Sequence, residues 1–327
     1  MTDESDAKPA AQVELDAQVK PGAQVKPAAK HKKSNALLNV MIAISAIAMI
    51  GALDLIAYPT FSDWWNRMHQ SYAVAGYVEQ TKDMSGAERK AMLKAAHEYN
   101  ERLAANGDRW HMTDAQKREY DETLDVTGTG IMGYVTIPRI KVKLPVYHGT
   151  SDGVLQIAAG HLAGTSLPVG GATTHAVVSG HTGLPSARLL TGLDELQKGD
   201  TFAFHVLDET YTYQVDQISV VLPSEISKLN IESGADYATL ITCTPYGVNS
   251  HRLLVRGHRI PNPKVPDKTQ YDEPGEMTAV AAAVIGLLVF VAGCAFVGLA
   301  RLWRRSWIVR HGLCAGAGAR HSSGVRG

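Results

Sequence analysis

The sequence predicts a mainly β exterior domain, a barrel or a sandwich, held between two membrane-spanning helices. Two observations predict this class. Short β-type runs recur from Gly133 onward with turn residues between them. Two long apolar stretches flank that region, and each is close to the ~20 residues that are needed to cross a bilayer.

The membrane segments are predicted at 36–57 and 278–300. A basic cluster that ends at Lys33 precedes the first, and a basic cluster that begins at Arg301 follows the second. The positive-inside rule places both clusters in the cytosol, so the region between the spans is extracellular and both termini are cytosolic. A cleaved signal peptide is the alternative for the first span, but Asp54 stands where a small-residue cleavage site is expected.

The rest of the chain divides by composition. Residues 1–35 repeat the pentapeptide Ala-Gln-Val-Lys-Pro and lack Phe, Trp and Tyr, which predicts a disordered cytosolic tail. Capping boxes at Ser85 and Thr113 predict two helices in a pre-domain, 58–128, joined by a loop at about 107–112. The remaining predicted segments are the β domain at 129–262, a linker at 263–277 and a second cytosolic tail at 301–327.

Within the β domain, turn residues separate the predicted strands, and one helical interruption is predicted at 192–197. The last two strands are an apolar run that ends at Cys243 and a second run that begins at Arg252. The earlier strands are Tyr134–Pro138, Val142–Tyr147, Ala176–Ser179, Thr201–Val206, Tyr211–Val215 and Ile218–Leu222.

Composition excludes some functions. The chain has 32 Lys and Arg against 32 Asp and Glu, so its charge does not favour a nucleic-acid partner. About two hundred of the 327 residues lie outside the spans and tails, enough for one domain with its own core. No pair of histidines has the spacing of a metal site, so neither a metal nor a cofactor is predicted.

Cys243 is the predicted nucleophile. The chain has three cysteines, and the predicted topology leaves Cys294 in the membrane and Cys314 in the cytosol. An unpaired thiol in an oxidising compartment indicates reactivity, although a free cysteine can also be a small buried apolar residue. Arg252, at the start of the next strand, supplies the positive neighbour that a reactive thiolate needs.

His181 is the predicted acid and base. It follows the run Ala176–Ser179 and precedes a glycine-flanked loop, so it sits where a rigid strand gives way to a loop. His161 is the nearest competitor, but no strong strand is predicted before it. His251 adjoins Arg252 and alternates to the opposite face of that strand.

These residues resemble the sortase family. The segment Thr239 to Cys243, with Arg252 nine residues later, is similar to the family's cysteine motif, and Ser179 to Arg188 resembles the segment around its catalytic histidine. The similarity extends over roughly 130–260. The resemblance implies an eight-stranded β-barrel in which Cys243, His181 and Arg252 are catalytic.

The pre-domain, the second span and the stretch after Cys243 resemble class C, the pilus-assembly sortases of Gram-positive bacteria. Members of that class carry a lid over the active site with an Asp-Pro-aromatic motif. Asp108 and Trp110 match the motif, whereas Arg109 replaces its proline. Because proline restricts its own φ, this loop is expected to be less rigid than the family's lid.

The resemblance implies a transpeptidase that cleaves an LPXTG-like sorting signal through a thioacyl intermediate and joins it to a pilin lysine. Its partners would be pilin subunits and the lipid bilayer, with no nucleic acid and no cofactor. The first alternative is a housekeeping sortase that passes the acyl group to a cell-wall precursor. A cysteine hydrolase with water as acceptor, and a scaffold that binds sorting signals without turnover, are the others.

Overall fold

The computed structural model describes residues 36–264, 269, 271, 286–296, 298 and 301. Within this part of the chain, eight strands close into one barrel, which confirms the eight-stranded fold that the resemblance implies. The strands are Ile131–Ile137 (β1), Val142–His148 (β2), Ala159–His161 (β3), Thr174–Ser179 (β4), Thr201–Val206 (β5), Glu209–Val221 (β6), Asp236–Thr244 (β7) and His251–Arg259 (β8).

The strand order around the barrel determines which chain segments meet. The order is β1-β2-β3-β4-β7-β8-β6-β5, and β5 pairs with β1 to close the ring. β2 pairs with β3 and β4 pairs with β7 in parallel, and the other pairs are antiparallel. Because parallel neighbours end at the same edge of a sheet, the residues that follow β4 meet the last residues of β7.

Apolar side chains fill the barrel. In β5, Phe202, Phe204 and Val206 are buried, and the residues between them are partly exposed. An eight-stranded barrel is just wide enough for its own side chains, so these residues form a packed core. A second and smaller group, which we call the outer cluster, consists of Val177, Leu229, Ile241 and Leu254.

Two short helices precede the barrel, at the positions that the capping boxes predict. The helix α2 (Gly86–Ala105) begins after Ser85, and α3 (Asp114–Glu122) begins after Thr113. Each capping hydroxyl accepts a hydrogen bond from the backbone three residues ahead, which satisfies an N–H that would otherwise have no partner. Tyr120 of α3 is buried against the barrel, so this helix is part of the barrel's packing.

The first helix, α1 (Ala36–Asp83), is 48 residues long and extends well beyond the predicted span, 36–57. Its apolar part is long and hydrophobic enough to cross a membrane by length and composition, and none of its most apolar window is buried. Its other end packs on the barrel, where the Tyr77 hydroxyl accepts from the Leu207 N–H at 2.7 Å and donates to the Met132 carbonyl at 3.1 Å. One continuous helix therefore joins the apolar segment to the barrel.

The second predicted span, 278–300, lies partly outside the described residues. The described part is an apolar helix at Gly286–Phe296, which is shorter than a membrane crossing requires. Among the described residues α1 is the one helix that is long and apolar enough to cross a bilayer. The predicted tail at 1–35, most of the predicted linker at 263–277, and the predicted tail at 301–327 except Arg301 also lie outside the described residues, and so does Cys314. The two-span topology stays a prediction.

The strand predictions differ from the structure in three places. No strong strand was predicted before His161, and the structure has a short one there, β3, which is three residues long and ends on this histidine. The two strands predicted at 211–215 and 218–222 form one strand, β6, with a register shift between Val215 and Gln217. The helical interruption predicted at 192–197 is a 3-10 turn at Leu193–Glu195, and a further short helix, α4, spans Asp152–Leu155.

Candidate active site

Cys243 and Arg252 lie side by side on β7 and β8. They are direct partners in the antiparallel register of the two strands. Opposed residues of an antiparallel pair point to the same face with their Cβ atoms about 4.5–5.5 Å apart. Ile241 and Leu254, two residues away along each strand, belong to the outer cluster, so the thiol and the guanidinium are on the outer face of the barrel.

His181 reaches the same place from β4. Ser179 pairs with Ile241 in the parallel β4–β7 ladder. The pairing continues to Gly180, whose N–H donates to the Ile241 carbonyl at 3.0 Å and whose carbonyl accepts from the Thr242 hydroxyl at 2.8 Å. His181 is the next residue along the chain, so the backbone leads it to the end of β7 that carries Cys243. The predicted site residues therefore meet at one edge of three neighbouring strands, and their catalytic roles stay a prediction.

The loop that carries His181 is held in place from within. The Leu190 N–H donates to the His181 carbonyl at 3.1 Å, and the Gly183 N–H donates to the Thr191 hydroxyl at 3.0 Å. Leu190 also packs on Gly180, where an added Cβ would come within 2.8 Å of the leucine Cγ. Only glycine allows this close approach, so the sequence at 180 fixes how the loop leaves the strand.

The β7–β8 loop forms the other side of the site. The Tyr246 ring lies over Gly183, where a Cβ would come within 2.5 Å of the ring and where φ is +71°. Arg252 donates from Nη1 to the carbonyls of Asn249 and His251, at 3.2 and 3.1 Å. In the part of the chain that the structure describes, its other guanidinium nitrogens have no protein acceptor, so they are available to a substrate oxygen.

Arg109 fastens the predicted lid loop, 107–112, to the barrel. Its side chain is only 8 % exposed, and its Nη1 donates to the Gly164 carbonyl at 2.8 Å. Nη2 donates to the Leu229 carbonyl at 3.0 Å and to Asn230 Oδ1 at 3.3 Å. Burial lowers the pKa of this guanidinium from its ordinary value. The absence of proline at position 109 predicts a less rigid loop. In the structure, these three hydrogen bonds hold the loop at that same position.

Trp110 covers the outer cluster next to the thiol. It packs on that cluster, and the Arg109 guanidinium carbon lies 4.3 Å from the centre of its ring. An added Cβ at Gly164 would come within 2.5 Å of the Arg109 carbonyl and 3.1 Å of the indole, so glycine permits the loop to approach. Ile241 of the cluster precedes Cys243 by two residues, or about 7 Å along the strand. The indole thus lies on the surface that leads to the thiol.

Asp108, the other predicted lid residue, is turned toward solvent. Its side chain is 67 % exposed, and one carboxylate oxygen accepts from His111 Nδ1 at 2.8 Å. Its backbone N–H donates to Asn106 Oδ1 at 3.1 Å. The predicted role of Asp108 in the lid therefore stays a prediction.

His161, the competitor of His181, is part of the core. The Tyr120 hydroxyl is 3.0 Å from its Nδ1, and its Nε2 lies 2.8 Å from the Ser166 carbonyl. These partners assign the proton to Nε2, because a carbonyl can only accept. Burial lowers the pKa of His161 to about 4, so the ring is neutral at pH 7. A buried imidazole with both nitrogens bound cannot serve an external substrate, which favours His181.

Sequence reasoning missed two residues that support the site. The Thr242 hydroxyl of β7 binds the carbonyl of Gly180, the residue before His181. Its position next to Cys243 in the sequence could have indicated that it supports the site. His175 is buried, and its Nδ1 donates to the Asn230 carbonyl at 2.8 Å while Asn230 Oδ1 holds Arg109. Burial lowers the pKa of His175. Nothing in the sequence indicated that His175 contacts Asn230, because a contact between two segments that are distant in the chain produces no local pattern.

Comparisons with known proteins agree with this fold. The family described as "Sortase domain" matches residues 135–260. Sortase C1 from Streptococcus agalactiae is 51 % identical, with a TM-score of 0.58 over 59 % of this chain and 100 % of that structure. Sortase C of Streptococcus pneumoniae is 44 % identical, with a TM-score of 0.53 over 60 % of this chain and 100 % of that structure.

A curated relative, Sortase A of Streptococcus agalactiae, is 29 % identical over 117 residues, which are 35 % of this chain. The match spans about half (47 %) of that relative's length. In contrast, the matched 59–60 % of this chain covers the two sortase C structures over their whole length. The chain therefore belongs to the sortase family, and the solved structures that it resembles over this region are class C sortases.

Proposed function

We propose that this protein is a membrane-anchored cysteine transpeptidase that joins an LPXTG-like sorting signal to a lysine amine of a pilin subunit. The observation that carries the proposal is the pairing of β4, β7 and β8, which sets Cys243 opposite Arg252 and holds Gly180, the residue before His181, against Thr242. These side chains are carried by strands and by short loops that are held by hydrogen bonds. Such rigid supports keep reacting groups in position, as catalysis requires.

In the first half-reaction, the Cys243 thiolate attacks the carbonyl carbon between the Thr and Gly of the sorting signal. A carbon–sulfur bond forms, and the electron pair of the carbonyl moves to its oxygen. As this intermediate collapses, the carbon–nitrogen bond breaks and His181 gives its proton to the leaving amine. The product is a thioester on Cys243, and the C-terminal part of the signal departs.

In the second half-reaction, the incoming lysine amine loses a proton to His181 and attacks the thioester carbon. An amide bond forms and the carbon–sulfur bond breaks, so the thiolate and the protonated imidazole are restored. Arg252 binds the carbonyl oxygen while it carries negative charge in both halves. A fixed cationic donor of this kind is typically worth about 3 kcal/mol in the transition state.

The choice of a pilin as acceptor rests on the kind of sortase that this chain resembles. The structure of the Streptococcus pneumoniae Sortase C is described as informative on pilin substrate specificity. The lid loop at 107–112, with Trp110 packed on the outer cluster that contains Ile241, two residues before Cys243, fits an enzyme whose site is covered until a specific substrate arrives. In a housekeeping sortase the acceptor would instead be a cell-wall precursor.

The anchor in this proposal is α1, with the barrel on the extracellular face. The barrel contains the thiol that must meet exported substrates, and α1 joins it to the apolar segment through one continuous helix. The second span and the cytosolic position of both termini belong to the same proposal and rest on the basic flanks of the two apolar stretches.

The full chain in detergent micelles, mixed with a labelled Leu-Pro-X-Thr-Gly peptide, tests the function. We expect a thioester on Cys243 by mass spectrometry, and transfer to a pilin-derived lysine peptide that exceeds hydrolysis. Cys243→Ala abolishes both products, and Cys294→Ala, which changes an exposed cysteine of the C-terminal helix, leaves them unchanged. Near-normal transfer by Cys243→Ala would end the nucleophile proposal. Equal product with and without an amine would indicate a hydrolase, and transfer only to a cell-wall peptide would indicate a housekeeping enzyme.

A further inference from the structure

We infer that the barrel rests at the outer surface of the bilayer, with the His181 loop directly above the lipid headgroups. This inference rests on the proposed membrane anchor and adds to it an orientation and a surface that meets the lipid.

The contacts of α1 fix the orientation. Asp63 Oδ1 accepts from the Arg188 N–H at 2.8 Å, and Asn66 Nδ2 donates to the Ser186 carbonyl at 2.7 Å. Ser186 and Arg188 belong to the loop that follows His181. Farther along the helix, Gln70 donates to the Ile157 carbonyl at 2.8 Å. Hydrogen bonds thus join the helix to the barrel at several points along its length. Of these points, the contacts with the His181 loop are the nearest to the apolar segment.

Helix geometry gives the height of this loop. The apolar segment ends between Leu53 and Ala57, so Asp63 stands about 9 to 15 Å beyond the hydrocarbon edge at 1.5 Å per residue. The headgroup layer of one leaflet is itself roughly 5 to 8 Å thick. Any tilt of α1 lowers these heights. For an untilted helix the His181 loop therefore lies about 1 to 10 Å above the headgroup layer, and a tilt of α1 or a bend at Pro59 brings it closer.

An aromatic group on α1 supports the same level. Tyr58, Phe61 and Trp65 are 54, 46 and 48 % exposed, and Trp64 lies beside them with its ring centre 5.9 Å from that of Phe61. Tryptophan and tyrosine concentrate where hydrocarbon meets water, because their rings are apolar and their tips are polar. This group begins one residue after the predicted span and overlaps the level of Asp63, so one short stretch marks the interface and holds the catalytic loop.

The same end of the barrel has an apolar rim. Tyr246 and Val248 of the β7–β8 loop are 72 and 70 % exposed, and Tyr246 lies against Gly183 of the His181 loop. Exposed apolar side chains of this size favour a lipid or protein neighbour over water. The edge of the site between these two loops therefore lies at a level that a membrane-tethered peptide can reach.

Fluorescence quenching tests the orientation directly. The background chain carries Cys243→Ala, Cys294→Ser and Cys314→Ser, so that it has no other cysteine. One version is labelled with a fluorophore at Ser186→Cys, and a matched version is labelled at Gln80→Cys. Gln80 is exposed and lies about 21 Å farther along α1 than Asn66. Both are placed in nanodiscs that contain lipids with a quencher on the headgroup. We expect strong quenching at 186 and at least fivefold weaker quenching at 80. Equal quenching at both positions would overturn the inference.

An insertion tests the consequence for substrates. Seven helix-forming polar residues placed after Ala57 raise the barrel by about 10 Å and turn it by only about 20°. The same seven residues inserted between Ser34 and Asn35, on the other side of the apolar segment, serve as the control.

Each chain in proteoliposomes is given a soluble sorting-signal peptide, or the same peptide tethered to a lipid by a three-residue linker. We expect equal turnover of the soluble peptide by all chains, and at least a tenfold loss with the tethered peptide only after the insertion at 57. Equal use of the tethered peptide by all chains would overturn the inference and leave the proposed function intact. No turnover of the soluble peptide by the parent chain would overturn the proposed function instead.

Discussion

Replacing Arg109 with alanine tests whether the loop at 107–112 acts as a lid. The substitution removes the hydrogen bonds to the carbonyls of Gly164 and Leu229 and to Asn230 Oδ1, and it also removes the contact with the Trp110 ring. The strands and the catalytic side chains are not touched by this change. The expected effect is therefore confined to the balance between a closed and an open loop.

The contacts set the magnitude. Single hydrogen bonds from a charged donor contribute ~1.5–3 kcal/mol each, but bonds from one guanidinium are not additive, and its burial offsets part of the gain. We take about 3 kcal/mol in all for the guanidinium. Since each 1.4 kcal/mol is a factor of ten, the ratio of open to closed loop rises about 100-fold in Arg109→Ala.

The assay is the rate at which a charged methanethiosulfonate reagent modifies Cys243. We expect this rate to rise in Arg109→Ala by up to about 100-fold, and in Arg109→Lys by less, because a point charge cannot reproduce a planar fork. Arg139→Ala, which removes an exposed arginine of the barrel, serves as the matched control and should label at the parent rate. An unchanged rate in Arg109→Ala, with unfolding also unchanged, would show that the loop does not limit access to the thiol.

Two further predictions concern catalysis and stability. Arg252→Lys should lower kcat/KM for peptide transfer by about 100-fold, because lysine lacks the second nitrogen that can bind the oxyanion; steady-state transfer assays check this, and a near-normal rate contradicts the role of Arg252. The pKa of His161 is about 4 when folded and about 6.5 when unfolded, so its stabilising effect is complete above pH 6.5 and is lost as the pH falls toward 4, by about 3 kcal/mol in all. Chemical denaturation of the full chain in detergent from pH 7 to 4 should give a shallower pH dependence for His161→Gln than for the parent; parallel curves contradict the assignment.

The sequence predicted the elements whose signals are local. The run that ends at Cys243 and the strand that begins at Arg252 have apolar patterns, so their pairing followed from adjacency in the chain. The capping boxes at Ser85 and Thr113 likewise marked both helix starts. Local signals of this kind depend only on residues that are close in the sequence, so they can be recognised before the fold is known.

Elements that depend on distant contacts were not predictable. β3 has three residues, Ala159 to His161, too few for any periodicity, and exists because β2 and β4 pair with it on either side. Arg109 was interpreted only as a missing proline, because its three acceptors lie 55 to 121 residues away in the chain. The sequence also gave no reason to extend the first helix past residue 57, since the packing of Tyr77 on the barrel stabilises that part.

The parallel pairing of β4 with β7 has a consequence for biosynthesis. The imidazole and the sulfur are 62 positions apart (243 − 181), and β5 and β6 must be made between them. Contacts between residues so far apart in the sequence form only after the intervening chain has folded into a closed loop. A nascent polypeptide that has been exported only in part therefore carries the imidazole without the sulfur with which it is proposed to act. In the proposed mechanism, acyl transfer becomes possible only once β7 has paired with β4 on one side and with β8 on the other, so reactivity is delayed until the barrel is complete.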